Sequence, residues 1–110
     1  MDKTTKGVII GASVGVIAGA IAGVLFAPQS GKETREDIKK YLHEIKEKIA
    51  EELVKVGEVT KEKYDEIVGK TVKIYETEKK ISSEDAADIK DKLEKNYDEV
   101  VKVAAEPAKE

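Results

Sequence analysis

Two hydrophobic patterns divide this chain. From Gly7 to Ala27 the sequence GVIIGASVGVIAGAIAGVLFA carries no charge, whereas from Ser30 onward charged or polar residues recur at almost every second position. About 20 uncharged residues, rising 1.5 Å each, match the hydrocarbon thickness of a bilayer. Residues 7–27 are therefore predicted as one transmembrane helix, preceded by a short flank over 1–6. Pro28 lacks an amide donor and clashes with the preceding turn, so residues 28–30 read as a hinge. Ser30-Gly31-Lys32-Glu33 has the S-x-x-E form of a capping box, in which each side chain satisfies an orphan amide of the other residue. A new helix is expected from residue 31.

That helix carries a long apolar stripe. Ile38, Leu42 and Ile45 are followed eleven residues later by Ile49, Leu53 and Val56, and then by Thr60, Tyr64 and Ile67, with Thr71 and Tyr75 beyond. Eleven residues over three turns is 3.67 per turn, close to a straight helix. The pattern predicts one amphipathic helix over 31–81. Glu36–Lys40, Glu44–Lys48, Glu51–Lys55, Glu66–Lys70 and Glu76–Lys80 stand four apart in the favourable order. Gly57 and Gly69 oppose helix formation and mark the places for a kink. Ser82 or Ser83 can cap a second helix over 82–106, whose positive end suits Glu84 and Asp85. Ala86, Ile89, Leu93, Tyr97, Val100 and Ala104 form its stripe, and Pro107 opens a polar tail over 107–110. The fold class is all-α. A reversal at Ser82 would give an antiparallel hairpin; without it the two helices stay extended.

Composition narrows the function classes. With one Phe, no Trp and four Tyr among 110 residues, the chain has little material for a large core, and small domains are marginal for that reason. An elongated or loosely packed structure is expected. The absence of Cys excludes disulfides, thiolate metal sites and a Cys nucleophile. Lys and Arg total 20 against 23 Asp and Glu. No unbroken basic face exists to neutralise phosphates, so nucleic acid is not an expected partner.

Candidate chemistry is sparse. His43, the one histidine, lies beside Glu44 on the charged helix without an oriented partner set. Gly31-Lys32 resembles the end of a phosphate loop, but Glu33 stands at the Ser/Thr position and no strand precedes it. The carboxylates alternate with lysines and read as a solvated face. No catalytic residue, cofactor, metal or small-molecule substrate is expected. The sharpest feature is Gly7, Gly11, Gly15, Gly19 and Gly23, five glycines at four-residue intervals. Repeated G-x-x-x-G leaves a helix face without side chains, onto which a second backbone can pack closely in lipid. Ala12, Ser13 and Ala20 keep neighbouring positions small. The face predicts self-association or docking on another membrane helix.

Lys3 and Lys6 precede the apolar run, and Lys32, Arg35, Lys39 and Lys40 follow it. The excess after the span places the charged arm in the cytoplasm. A secretory signal with a site among Ala18, Ala20 and Ala22 is the rival reading, although the apolar run continues through Val24, Leu25 and Phe26.

The junction Gly23-Val24-Leu25-Phe26-Ala27-Pro28-Gln29-Ser30-Gly31-Lys32-Glu33-Thr34-Arg35 resembles the signature of the YtxH-like family. These are small bacterial proteins with a Gly/Ala-rich hydrophobic helix, an L-F-A-P-x-S-G-K-E-T-R junction and a charged helical tail. The resemblance covers roughly the first 45 residues; beyond them the tail matches in character only. It implies a membrane-associated bacterial protein linked to general stress responses and supplies no catalytic residue or cofactor. The eleven-residue arm also resembles, in pattern, late-embryogenesis-abundant proteins, which become helical on drying or at membranes.

The sequence thus predicts a non-enzymatic, single-pass protein of the bacterial cell membrane. Its partners are the lipid bilayer and either a second copy or another membrane helix. The alternatives are a conditional amphipathic helix that protects membranes, and a secreted helical protein after signal cleavage.

Overall fold

In the computed structural model, the described residues are 8–21, 23, 35–78 and 80–104. They form a short strand β1 (Val8–Ile9), helix α1 (Val14–Ile21), helix α2 (Arg35–Val56), strand β2 (Glu58–Val59), and helices α3 (Lys61–Thr77), α4 (Ser83–Lys95) and α5 (Tyr97–Ala104). The class is all-α, with one two-stranded ladder that the sequence reading did not anticipate. Flank 1–6, hinge 28–30, the Ser30–Glu33 capping box and tail 107–110 lie outside the described residues.

The single helix expected over 31–81 is two helices. Gly57 has φ +84, a left-handed value that side chains with a Cβ resist. Its amide donates to Leu53 O at 3.0 Å, closing α2 with a single left-handed cap. Glu58 and Val59 then run extended. Thr60 caps α3, its hydroxyl accepting from the Lys63 amide at 3.0 Å. The chain turns back here, and the stripe continues in phase on both sides of the turn. Ile38, Leu42, Ile45, Ile49 and Leu53 are buried on α2, and Tyr64, Ile67, Thr71 and Tyr75 on α3. Val56, also expected on the stripe, is 44% exposed, because it is the last residue before the turn. Gly69 produces no break; α3 passes through it.

A second reversal follows at Ser82, whose hydroxyl accepts from the Asp85 amide at 3.1 Å. Of the two arrangements left open by the sequence, the hairpin is the one formed. Tyr64 Oη donates to Leu93 O at 2.6 Å between α3 and α4. The helix expected over 82–106 is interrupted at Asn96, which ends α4 and leads into α5.

The N-terminal segment completes the bundle. β1 pairs antiparallel with β2, Val8 opposite Val59 and Ile9 opposite Glu58. The Ile10 amide donates to Gly57 O and the Gly11 amide to Ala104 O, each at 3.0 Å. α1 packs against α2 and α5, while α2 packs on α3 and α3 on α4. Four antiparallel walls result: α1, α2, α3 and the bent α4–α5 pair. Ile17 and Ile21 enter the same core as Ile45, Leu53, Tyr64, Leu93 and Val100. The Cα radius of gyration is 14.1 Å, near the about 13 Å typical of a compact chain of this length. The elongated arrangement expected from composition is not adopted. Unbranched aromatic bulk is scarce, but β-branched and Leu side chains from all four walls fill the centre.

The uncharged stretch does not form one long helix in the described residues. Within it, α1 has 8 residues, roughly 12 Å of helix. Among the described residues, no helix is long and apolar enough to cross a membrane. β-branched Val8 and Ile9 suit an extended ladder, and the β2 edge offers them main-chain partners.

Candidate functional site: the docked glycine-rich segment

The segment has two unlike faces. Ile17 and Ile21 are fully buried, with Val14 and Ala18 packed at the edge of the core. On the opposite side of α1, Gly15 and Gly19 are exposed, as are Gly11 before the helix and Gly23 after it. A Cβ built on Gly11, Gly19 or Gly23 meets no atom within 4 Å, and one on Gly15 meets only Ser13 Oγ at 3.9 Å. Val16 is 50% exposed and Ile9 71%. Of the five glycines expected at a packing face, Gly15 and Gly19 lie on the exposed face of α1, Gly11 and Gly23 are exposed beyond its two ends, and Gly7 lies outside the described residues. The helix dictates this division. Positions 17 and 21 are four apart and form one ridge, while 15 and 19 form another on a different side.

α1 has no charged residue, and its main-chain groups are secured by neighbours. Ser13 Oγ accepts from the Val16 amide at 3.3 Å at the start of the helix. Near its end, Asn96 Nδ2 donates to Ala20 O at 3.4 Å. That contact comes from the bend between α4 and α5, so the interruption at Asn96 positions a side chain against the segment.

The junction residues Leu25, Phe26, Ala27, Pro28, Ser30, Gly31, Lys32, Glu33 and Thr34 lie outside the described residues. Arg35 opens α2, where Glu36 and Asp37 occupy the first turn, a favourable charge for the positive end of a helix. The apolar stripe lines the core: Ile38, Leu42, Ile45, Ile49, Leu53, Tyr64 and Ile67 are buried, whereas Thr60 is half-buried and Val56 exposed.

A second cluster was not foreseen. Tyr41 and Tyr75 lie 6.0 Å apart between ring centres, tilted by 56°. Lys80 Nζ stands 5.4 Å from the Tyr75 ring centre and 5.9 Å from that of Tyr41, within the range of cation–π attraction. Tyr75 Oη donates to Glu44 Oε1 at 2.8 Å. Burial and the Glu44 carboxylate raise the Tyr75 hydroxyl above its ordinary range. These contacts hold the end of α3 on the first half of α2. The spacing of thirty-odd residues left no local signal in the sequence.

Apart from buried Lys46 and Asp85, most charged side chains of the described residues are at least partly exposed. Members of three of the five Glu–Lys pairs expected along the arm take other partners: Glu44 accepts from Tyr75, and Lys55 and Lys80 turn to nearer carboxylates. Lys55 Nζ reaches Glu52 at 3.9 Å, Lys80 reaches Glu78 at 3.4 Å, and Lys61 reaches Asp65 at 2.7 Å. α4 carries its own ladder of Lys90–Glu94, Lys92–Asp88 and Lys95–Asp91. His43 Nε2 is 3.4 Å from Glu47, both exposed. Burial lowers the Lys46 ammonium below its usual range. A cleft of about 320 Å³ beside α3 is lined by Lys48, Glu51, Lys70, Thr71, Ile74 and Tyr75, among others. Its mixed charges do not converge on one point. Among the described residues, no group of three or more His, Asp or Glu side chains could hold a metal ion.

A family model described as YtxH-like protein matches residues 9–105. The match extends well beyond the junction motif, over all five helices, β2 and the second residue of β1. No curated protein and no solved structure matches the chain.

Proposed function

We propose a role for this chain, which belongs to the YtxH-like family: it is a non-enzymatic structural protein of the bacterial cell membrane, anchored through residues 7–27, that self-associates through its glycine face. The observation that carries this reading is the exposure of Gly15 and Gly19 on the face of α1 opposite Ile17 and Ile21, with Gly11 and Gly23 exposed on either side of the helix in the same uncharged segment. A ridge without side chains lets a second copy's backbone approach closely, the attraction available between helices in lipid. Uncharged length supports anchoring, since residues 7–27 carry no ionisable group. The greater number of basic residues after the segment favours a cytoplasmic arm. Resemblance to the family supports a stress-linked setting. Burial of Ile17 and Ile21 in the shared core favours a segment retained in the mature protein over one removed as a signal.

Gly15→Leu and Gly19→Leu test this reading. Each adds a branched side chain to the open face without introducing charge. Self-association measured by energy transfer between labelled full-length chains in bilayers should fall at least tenfold in either variant, with membrane insertion retained. Unchanged association in both contradicts the glycine interface.

A further inference from the structure

Residues 8–21 serve two incompatible purposes. As the fourth wall of the bundle they require Val8 and Ile9 extended against β2, and Ile10 and Gly11 bonded to Gly57 and Ala104. As part of a span over 7–27 the same residues must be helical throughout, because lipid offers no partner for an open strand edge or irregular backbone. The ladder and both main-chain bonds must break before the span can form. A transmembrane path also carries Ile9 to the far leaflet, while Glu58, opposite it in the ladder, stays with the charged arm.

The docked position is only half satisfied. Ile17 and Ile21 are removed from water, yet Ile9 and Val16 remain 71% and 50% exposed and the glycine ridge is open. A bilayer would take up those apolar groups, which the bundle leaves in water. The rest of the chain has contacts that do not involve the segment: Tyr64 to Leu93, Tyr75 to Glu44, and the left-handed cap at Gly57.

We propose that residues 8–21 exchange between this docked wall and a bilayer-spanning helix, so that closure of the bundle in water and insertion in lipid compete for one segment. The exchange rests on the anchoring reading above and adds its regulation. A membrane shifts the equilibrium by its preference for the released segment, and each interaction that tightens docking raises the threshold for insertion. Insertion uncovers the α2 and α5 surfaces that α1 covers in this structure.

The natural absence of cysteine makes a clean test possible. Directly opposed antiparallel residues have Cα atoms about 4.5–5.5 Å apart, within the range a disulfide bridges. The full-length I9C/E58C variant, carrying an N-terminal tag, is mixed oxidised or reduced with preformed vesicles of phosphatidylethanolamine and phosphatidylglycerol. Flotation and protection of the tag from added protease are read together. The oxidised form should float at least tenfold less and leave its tag digestible. The reduced form and both single variants should float with the tag protected. Equal flotation and protection of oxidised and reduced protein overturns the exchange and leaves the anchor standing. Failure of every form to float overturns the anchor, and the exchange with it. Failure of the disulfide to form in water overturns the docked wall itself.

Discussion

Tyr64 on α3 places its buried hydroxyl 2.6 Å from the main-chain oxygen of Leu93 on α4. This bond, with the tilted ring contact between Tyr64 and Tyr97 at 5.3 Å, locks the second reversal of the chain. Tyr64→Phe keeps the ring and removes the bond. Its loss should cost about 1 kcal/mol at neutral pH, kept modest because Leu93 O also accepts from the Asn96 amide. Chemical denaturation followed by circular dichroism measures it.

The same hydroxyl sets an alkaline limit. Burial, then the nearby Asp65 and Glu94 carboxylates, raise Tyr64 well above its ordinary value of 10.0. In the unfolded chain the phenol ionises near that ordinary value; in the folded chain it stays protonated. Above about pH 10 the folded state therefore binds more protons than the unfolded one, and stability falls as pH rises. Below that point Tyr64 contributes no pH dependence. Denaturation curves across pH 9 to 11.5 should show this fall, and Tyr64→Phe should reduce its slope.

Docking of α1 predicts an asymmetry between adjacent residues. Ile17 is fully buried and Val16 half exposed. Ile17→Ala should destabilise the bundle by about 2–5 kcal/mol, as large-to-small core changes do. Val16→Ala should change stability by no more than about 0.5 kcal/mol. Equal small effects in detergent-free buffer contradict the docked wall.

Two glycines in the arm should respond in opposite directions. Gly57 has a left-handed backbone, so Gly57→Ala should lose about 1–2 kcal/mol. Gly69 lies inside α3, where a Cβ would meet only the flexible Lys90 Cε at 3.3 Å. Gly69→Ala should be neutral or gain up to about 1 kcal/mol from helix propensity. Thermal melting of the two variants side by side checks the pair.

A packed core also separates this account from the conditional-helix alternative. With Ile45, Leu53, Tyr64 and Leu93 fully buried in one cluster, the full-length chain should be helical in buffer without lipid or drying. It should unfold cooperatively on heating. Low helicity in buffer that rises only with vesicles favours the protective amphipathic helix instead.

Much of the arm was legible in the sequence because spacing dictates facing. The four-three-four stripe from Ile38 to Tyr75 correctly picked the buried side of α2 and α3, and Ala86 to Ala104 that of α4 and α5. The turn at Gly57 escaped because the stripe keeps its phase across it. A kink and a full reversal give the same one-dimensional pattern. Left-handed geometry and the Thr60 cap decide between them. Residues 8–21 were read as helix throughout because an uncharged segment suits lipid and a protein core alike. Only the free edge at Glu58–Val59 makes a strand of Val8 and Ile9. The Tyr41–Tyr75–Lys80 cluster was invisible because its members meet only once the helices pair. Of the candidate site, the glycines singled out by their spacing are exposed in the docked segment, because in α1 the burial falls to Ile17 and Ile21 instead. Which side would be buried depended on Ile17 and Ile21, whose role as core the sequence reading did not single out.

Membrane fractionation of the tagged full-length protein tests the anchoring claim most directly, with intact mass and protease accessibility of the arm in whole cells. Full-length protein is expected in the membrane fraction, its N-terminal segment intact and its arm shielded from external protease. A soluble or secreted species beginning near Ala20 to Val24 would contradict it, since the glycine face would then be absent from the working protein.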